Sequence, residues 1–229
     1  MTADSVIKII HDFVRTHGAE DVVAHDWWHI HRVLETAKKI AVLEGGNPFV
    51  VQMIALLHDV YDHKFHPDVD ITQEIIQLFE RLGVIAHIKP ADLENINHSI
   101  CNLSFKGGFN TTKLSLEGQI AQDADRLDAI GAIAIARTFA YGGKMDRALY
   151  DPEVGMIDVE SESQYLNTAR HSINHFYEKL LKLKDLMNTE TGKKMADSRH
   201  QFMEQYLEQF FVEWDGTDFH SCESKTCNG

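Results

Sequence analysis

Residues 55–65 read ALLHDVYDHKF, an apolar helical run that ends abruptly on the adjacent pair His58-Asp59. Ala55, Leu56 and Leu57 drive the segment into a core, yet the next two side chains offer a neutral nitrogen ligand and an anionic oxygen ligand. Such a pair suits a hard or borderline divalent cation. Alone it also matches an ordinary helix end with a capping Asp and a hydrogen-bonded His, so its meaning depends on the segments around it.

Working outward, Asn47-Pro48 supplies a cap and a first-turn proline, and Val50, Val51, Ile54, Ala55 and Leu57 pack the helix that runs into His58-Asp59. Before it, AHDWWHIHRVLETAKKIAVLEGG (24–46) carries Trp28, Val33, Ile40 and Leu43 on a helical rhythm and stops at Gly45-Gly46. A turn this short makes the two helices antiparallel neighbours. A first helix over 5–17 is packed by Val6, Ile9, Ile10, Phe13 and Val14 and closed by Gly18.

Downstream, ITQEIIQLFERLG (71–83) is a further helix, and Pro90 opens another that carries His98. SFKGGFNTTKLS (104–115) is a polar, glycine-bearing loop, and LEGQIAQDADRLDAIGAIAIARTFAY (116–141) resumes apolar helical character. After a break through YGGKMDRALYDPEVGM, the spacing predicts two long amphipathic helices, about 160–187 and 189–214, separated near Asn188. No alternation of strand type persists, so the expected fold is an all-α helical bundle. It is read as a single domain over 1–215, with its core over 20–140, a helical extension over 160–215 and a polar tail over 216–229 that is expected to be frayed.

A chain of 229 residues with 44% hydrophobic residues can bury a substantial core. Its 22 basic and 35 acidic residues give a net charge of −13, which opposes binding to nucleic acid or an anionic membrane, and no basic block overrides it. Three cysteines, Cys101, Cys222 and Cys227, make no paired framework and suit a reducing compartment. With neither a signal peptide nor a membrane span in view, the expectation is a soluble cytoplasmic protein. Six of the 14 histidines, His25, His29, His31, His58, His63 and His66, crowd one early region, a hint of metal or phosphate chemistry.

Two further stretches join the central pair. HDWWHIHRV places His25, His29 and Arg32 at intervals of four and three, on one side of a helix, although a helix start near Asp26 leaves His25 in the preceding turn. QDADRLDAIGAIAIAR sets Asp123, Asp125 and Asp128 around an apolar helix start, where carboxylates need a cationic partner to offset desolvation. Arg126 can serve one of them, but hardly all three.

The ordered set HxxRV (29–33), ALLHD (55–59) and DADRLDA (123–129) resembles the HD-domain superfamily of metal-dependent phosphohydrolases, over roughly residues 20–140. QDADRLDAIGAIAIAR together with SFKGG resembles its small bacterial subfamily. The resemblance implies an HD-type helical bundle holding one divalent metal, manganese or magnesium, through His29, His58, Asp59 and Asp125. His25 and Asp123 are the alternatives for the first and last ligands, and Asp128 is expected to pair with Arg32 or Arg126.

Around that metal, Asp62 is placed to orient or deprotonate the attacking water and His63 to protonate the leaving oxygen. Lys106 in the glycine-bearing loop, Lys144 and Arg32 are the candidate substrate-binding residues, although Arg32 is better suited to bracing a ligand carboxylate. The guanosine-tetraphosphate hydrolases of the superfamily carry a Glu-Asp pair near here, which this chain lacks. The expected substrate is a phosphorylated small molecule, a nucleotide: a triphosphate cleaved to monophosphate and pyrophosphate, or a monophosphate cleaved to nucleoside. The competing readings are a phosphodiesterase and a non-catalytic nucleotide-sensing HD module. A homodimer is compatible with either.

Overall fold

The computed structural model describes residues 1–17, 26–60, 70–105, 112–155 and 171–218. Among them every regular element is helical: α1 (Ala3–His17), α2 (Trp27–Glu44), α3 (Pro48–Leu57), α4 (Ile71–Arg81), α5 (Pro90–Asn102), α6 (Leu116–Asp128), α7 (Ala132–Lys144), α8 (Asn174–Glu178) and α9 (Glu190–Trp214). The fold is the all-α bundle that the periodicities call for. No helix among these residues is long and apolar enough to cross a membrane.

Helix α3 is the hub. Asn47 Oδ1 accepts from the Phe49 amide at 3.1 Å, Pro48 takes the first turn, and seven of the ten residues are buried, Val50, Val51 and the run Met53–Leu57. A helix apolar on nearly all sides must be surrounded, and α3 packs against α1, α2, α5 and α6. Burial of each such aliphatic side chain contributes roughly 1.5–3 kcal/mol. Glu117 of α6 clamps the link from α2 to α3 from outside: its Oε1 accepts from the Asn47 amide at 2.9 Å and its Oε2 from Asn95 Nδ2 at 3.1 Å.

Three sequence expectations need correction. On α2 the buried stripe is His29, Ile30, Val33, Leu34, Ala37 and Ile40, whereas Trp28 and Leu43 are 60% and 72% exposed. The apolar face is thus rotated by about one residue from the rhythm read through the tryptophan. The helix expected to start around the aspartates of 123–128 instead ends there: they close α6, and α7 begins after Gly131, which takes φ 86°, a conformation that an L side chain resists. The segment expected as one long helix up to Met187 is, from residue 171 on, the short α8 followed by 3₁₀ turns at Leu180–Lys182 and Lys184–Leu186. Its apolar spacing survives, since Ile173, Phe176, Leu180, Leu183 and Met187 are all buried, but i to i+3 hydrogen bonds replace the helical ladder.

Asp123 is wholly buried and is one of the alternatives for a ligand position, yet it faces away from the histidines. Its Oδ1 accepts from the Asn188 amide and Asn188 Nδ2, each at 2.8 Å, and its Oδ2 from the Thr189 amide at 2.7 Å and Thr189 Oγ1 at 2.8 Å. It therefore fixes the start of α9, whose N-cap is Thr189, onto α6. Asp123→Ala should lower unfolding free energy by about 3 kcal/mol or more, because buried donors lose their acceptor. Gly192→Ala should act in the same direction, since its Cβ would lie 2.5 Å from Asp123 Oδ2. Urea denaturation checks both, and parental stability in either variant would contradict this anchoring role.

Candidate metal centre

Four donor atoms, from α2, from the turn after α3 and from α6, converge at one end of α3. Asp26 caps α2 by accepting from the His29 amide at 2.8 Å, which sets His29 in the first turn facing inward. His58 follows the last residue of α3, with Asp59 next in the turn, and Asp125 lies in the last turn of α6. His29 Nε2 is 3.2 Å from His58 Nε2, 3.2 Å from Asp59 Oδ2 and 3.5 Å from Asp125 Oδ1. His58 Nε2 is 3.5 Å from Asp59 Oδ2 and 3.8 Å from Asp125 Oδ1. The side chains of His29, His58 and Asp59 are nearly enclosed, whereas that of Asp125 is 35% exposed and opens the cluster to solvent.

The far side of each imidazole is tied down. His58 Nδ1 donates to the Ala55 carbonyl at 2.9 Å, and His29 Nδ1 donates to Asp128 Oδ2 at 2.7 Å. Those bonds leave both Nε2 lone pairs pointing into the cluster, toward each other and toward two carboxylates. Two lone pairs 3.2 Å apart beside anionic oxygens need a cation between them, either a proton or a metal ion. This donor set of two imidazole nitrogens and two carboxylate oxygens fits a divalent cation, with His29, His58 and Asp125 mutually within 4.8 Å and Asp59 beside both rings.

Asp128 is the brace. Its Oδ1 accepts from Arg32 Nε at 2.7 Å and its Oδ2 from Arg32 Nη2 at 3.0 Å and Arg137 Nη1 at 2.7 Å, besides His29. Burial alone would raise its pKa, but His29 and the guanidiniums hold it well below the usual carboxylate range. Burial alone would lower the His29 pKa, but Asp128, Asp59 and Asp125 push it up to about 9. Arg32 is as expected a partner of Asp128. Arg126 is not: it donates to the Leu186 carbonyl. Arg137 of α7 takes that place: it closes the stretch QDADRLDAIGAIAIAR, but spacing assigns it no role, because only the turn at Gly131 brings α7 back to Asp128.

Lys144 is exposed at the last residue of α7, seven residues beyond Arg137 and hence about 10 Å farther along the helix. Asp62, His63, Lys106 and the alternative ligand His25 lie outside the described residues. A cation absent from the sequence expectations, Lys179, is partly buried with its Nζ over the Phe105 ring, 5.5 Å from the centroid, in a stretch that reads as a solvated amphipathic helix.

Asp128→Asn should keep the fold while weakening Mn²⁺ binding about 10- to 100-fold, the usual consequence of removing a ligand's outer partner; calorimetric titration measures it, and unchanged affinity would contradict the bracing role. In the metal-free protein His29 titrates near 6.5 when unfolded and near 9 when folded. Its protonated form therefore stabilises the fold fully below about pH 6.5, and that contribution disappears as pH rises through about 9. Melting temperature without metal should fall across this window and become flatter with Mn²⁺. A metal-free profile without that decline would refute the charge assignment.

The HD domain family matches residues 27–130, which span α2 through the end of α6 and contain His29, His58, Asp59 and Asp125. The Bacillus subtilis (strain 168) protein YpgQ is 35% identical over 211 residues, covering 91% of this chain and 94% of YpgQ. A crystal structure of YpgQ in complex with ADP superposes with a TM-score of 0.71 at 33% identity, covering 93% of this chain and 97% of that one. An HD-superfamily hydrolase from Bacillus thuringiensis is 41% identical with a TM-score of 0.72, over 93% and 99% of the two chains. A Lactobacillus plantarum protein reaches a TM-score of 0.82 at 38% identity, over 94% and 100%. Fold, ligand cluster and relatives agree that this chain belongs to the HD-domain superfamily of metal-dependent hydrolases.

Proposed function

We propose that this protein is a divalent-metal-dependent phosphohydrolase that cleaves a nucleoside triphosphate to the monophosphate and pyrophosphate. The observation that carries the reading is the convergence of His29 Nε2, His58 Nε2, Asp59 Oδ2 and Asp125 Oδ1 on one point. Four protein donors leave coordination positions for water and a phosphoryl oxygen, the arrangement of a hydrolytic rather than a closed structural site. The ADP held by YpgQ supports a nucleotide as the ligand.

A divalent cation in this cluster, manganese or magnesium, supplies Lewis-acid polarisation of a phosphoryl oxygen and lowers the pKa of water. The chain's own groups do the rest. The Asp128 brace keeps His29 Nδ1 protonated and its Nε2 free to ligate. Arg32 and Arg137 act through Asp128 and position that imidazole. Asp62 is assigned to orient and deprotonate the attacking water, whose oxygen bonds to the α-phosphorus as the bond to the bridging oxygen breaks. His63 gives a proton to the departing pyrophosphate, and Lys106 and Lys144 are assigned to its phosphates.

The test is release of pyrophosphate and of phosphate from a panel of nucleoside mono-, di- and triphosphates with added Mn²⁺, beside Asp59→Ala. The expected result is pyrophosphate release by the parent alone, with Asp59→Ala losing both Mn²⁺ binding and turnover while keeping its helical circular dichroism. Phosphate release from monophosphates would replace the reading with a nucleotidase. Silence of the Mn²⁺-loaded parent across the panel would overturn it in favour of a sensing module, and full metal occupancy in Asp59→Ala would overturn the ligand assignment.

A further inference from the structure

Asp125 and Asp128 both lie in the last turn of α6, and the two residues between them are held by the C-terminal part of the chain. The Arg126 guanidinium donates to the Leu186 carbonyl, and the Leu127 carbonyl accepts from Arg199 Nη1. Arg199 belongs to α9, which packs on α6 and α7. The HD domain match ends at residue 130, so this grip comes from outside the matched span.

Two features fit Arg199 to its place. The carbonyls of a final helical turn have no partner within the helix, and the Leu127 carbonyl receives from the backbone only a stretched bond, from the Ile130 amide at 3.4 Å. A guanidinium there supplies a charge-assisted donor and meets the negative end of the helix dipole. The half-buried stem of Arg199 also lies across the turn from α6 to α7: a Cβ built on Gly131 would stand 3.1 Å from its Cβ and 3.2 Å from its Cγ. One side chain thus holds Leu127 on the α6 side of the turn and covers Gly131 on the α7 side. That turn carries Asp125 toward the histidines and returns Arg137 to Asp128. A displaced last turn of α6 would shift Asp125 Oδ1 from the imidazoles and loosen the bonds that Asp128 makes to His29, Arg32 and Arg137.

We infer that Arg199 is a positioning residue of the metal centre: by donating to the Leu127 carbonyl and covering Gly131 it fixes the turn that carries Asp125 and Asp128 and returns Arg137. It acts through the backbone of α6. This rests on the ligand assignment above and extends the centre to α9.

The experiment compares the full-length parent, Arg199→Met, Arg199→Lys and Leu78→Ala by calorimetric titration with Mn²⁺, each beside its urea denaturation curve. Met keeps an apolar stem over Gly131 and removes the donor, whereas Lys keeps a donor. Leu78→Ala empties a buried position of α4, which packs on α5, and so lowers stability from another part of the bundle. Titration under folding conditions reads the affinity of the folded protein, so lost stability alone leaves it unchanged. Arg199→Met should bind Mn²⁺ about tenfold more weakly, Arg199→Lys should recover most of that loss, and Leu78→Ala should match the parent. Should the Met variant fail to fold by circular dichroism, Arg199→Gln, whose amide ends short of the guanidinium it replaces, carries the same comparison. Parental affinity in the variant lacking the guanidinium, or an equal loss in Leu78→Ala, would overturn the positioning role and leave the ligand assignment standing. A parent that binds no Mn²⁺ would overturn the ligand assignment and this inference together.

Discussion

One buried carboxylate organises the functional end of this molecule. Asp128 joins α6 to α2 through His29 and Arg32 and to α7 through Arg137, every contact between 2.7 and 3.0 Å. Removing a carboxylate from water is costly, and here two guanidiniums and an imidazole N–H offset that cost. The consequence reaches beyond stability. By accepting the Nδ1 proton of His29, Asp128 decides which nitrogen of that ring is left to bind an ion.

The rest of the bundle gives that decision a place to act. Helix α3 is surrounded because it is apolar on nearly every side, so its C-terminal residues His58 and Asp59 emerge inside the fold rather than on its surface. Asn47 and Asp26 set the starts of α3 and α2, and the Ala55 carbonyl fixes the His58 tautomer as Asp128 fixes that of His29. Two Nε2 atoms 3.2 Å apart beside Asp59 and Asp125 form an arrangement that repels itself without a positive charge at its centre. A proton can supply that charge, since Asp128, Asp59 and Asp125 push the His29 pKa up. A divalent ion supplies it with open coordination positions, which is what hydrolysis of a phosphoester needs.

Much of this was legible in the residues. The helix-ending pair His58-Asp59, the early HxxRV and the late DADRLDA locate all four residues whose donor atoms converge, because each motif keeps its chemistry within a single turn or helix. The aspartates of α6 show the limit. Successive helical residues turn by roughly 100°, so Asp123, Asp125 and Asp128 point three ways, to the start of α9, to the histidines and to the arginines, and spacing alone does not say which neighbour stands on which side. Arg137 was illegible for the same reason: it closes the stretch QDADRLDAIGAIAIAR, but only the turn between α6 and α7 brings it back to Asp128. In the segment after residue 171 the apolar period was readable, but its tightening into 3₁₀ turns was not, since both geometries bury the same side chains.

The metal centre therefore depends on tertiary placement at its rim and on sequence motifs at its heart. Anomalous scattering from a crystal of the Mn²⁺-loaded protein would show directly whether the convergent atoms hold an ion. One peak per chain, bounded by His29 Nε2, His58 Nε2, Asp59 and Asp125, is the predicted result. A peak bound elsewhere, or none in a protein saturated with Mn²⁺, would contradict it.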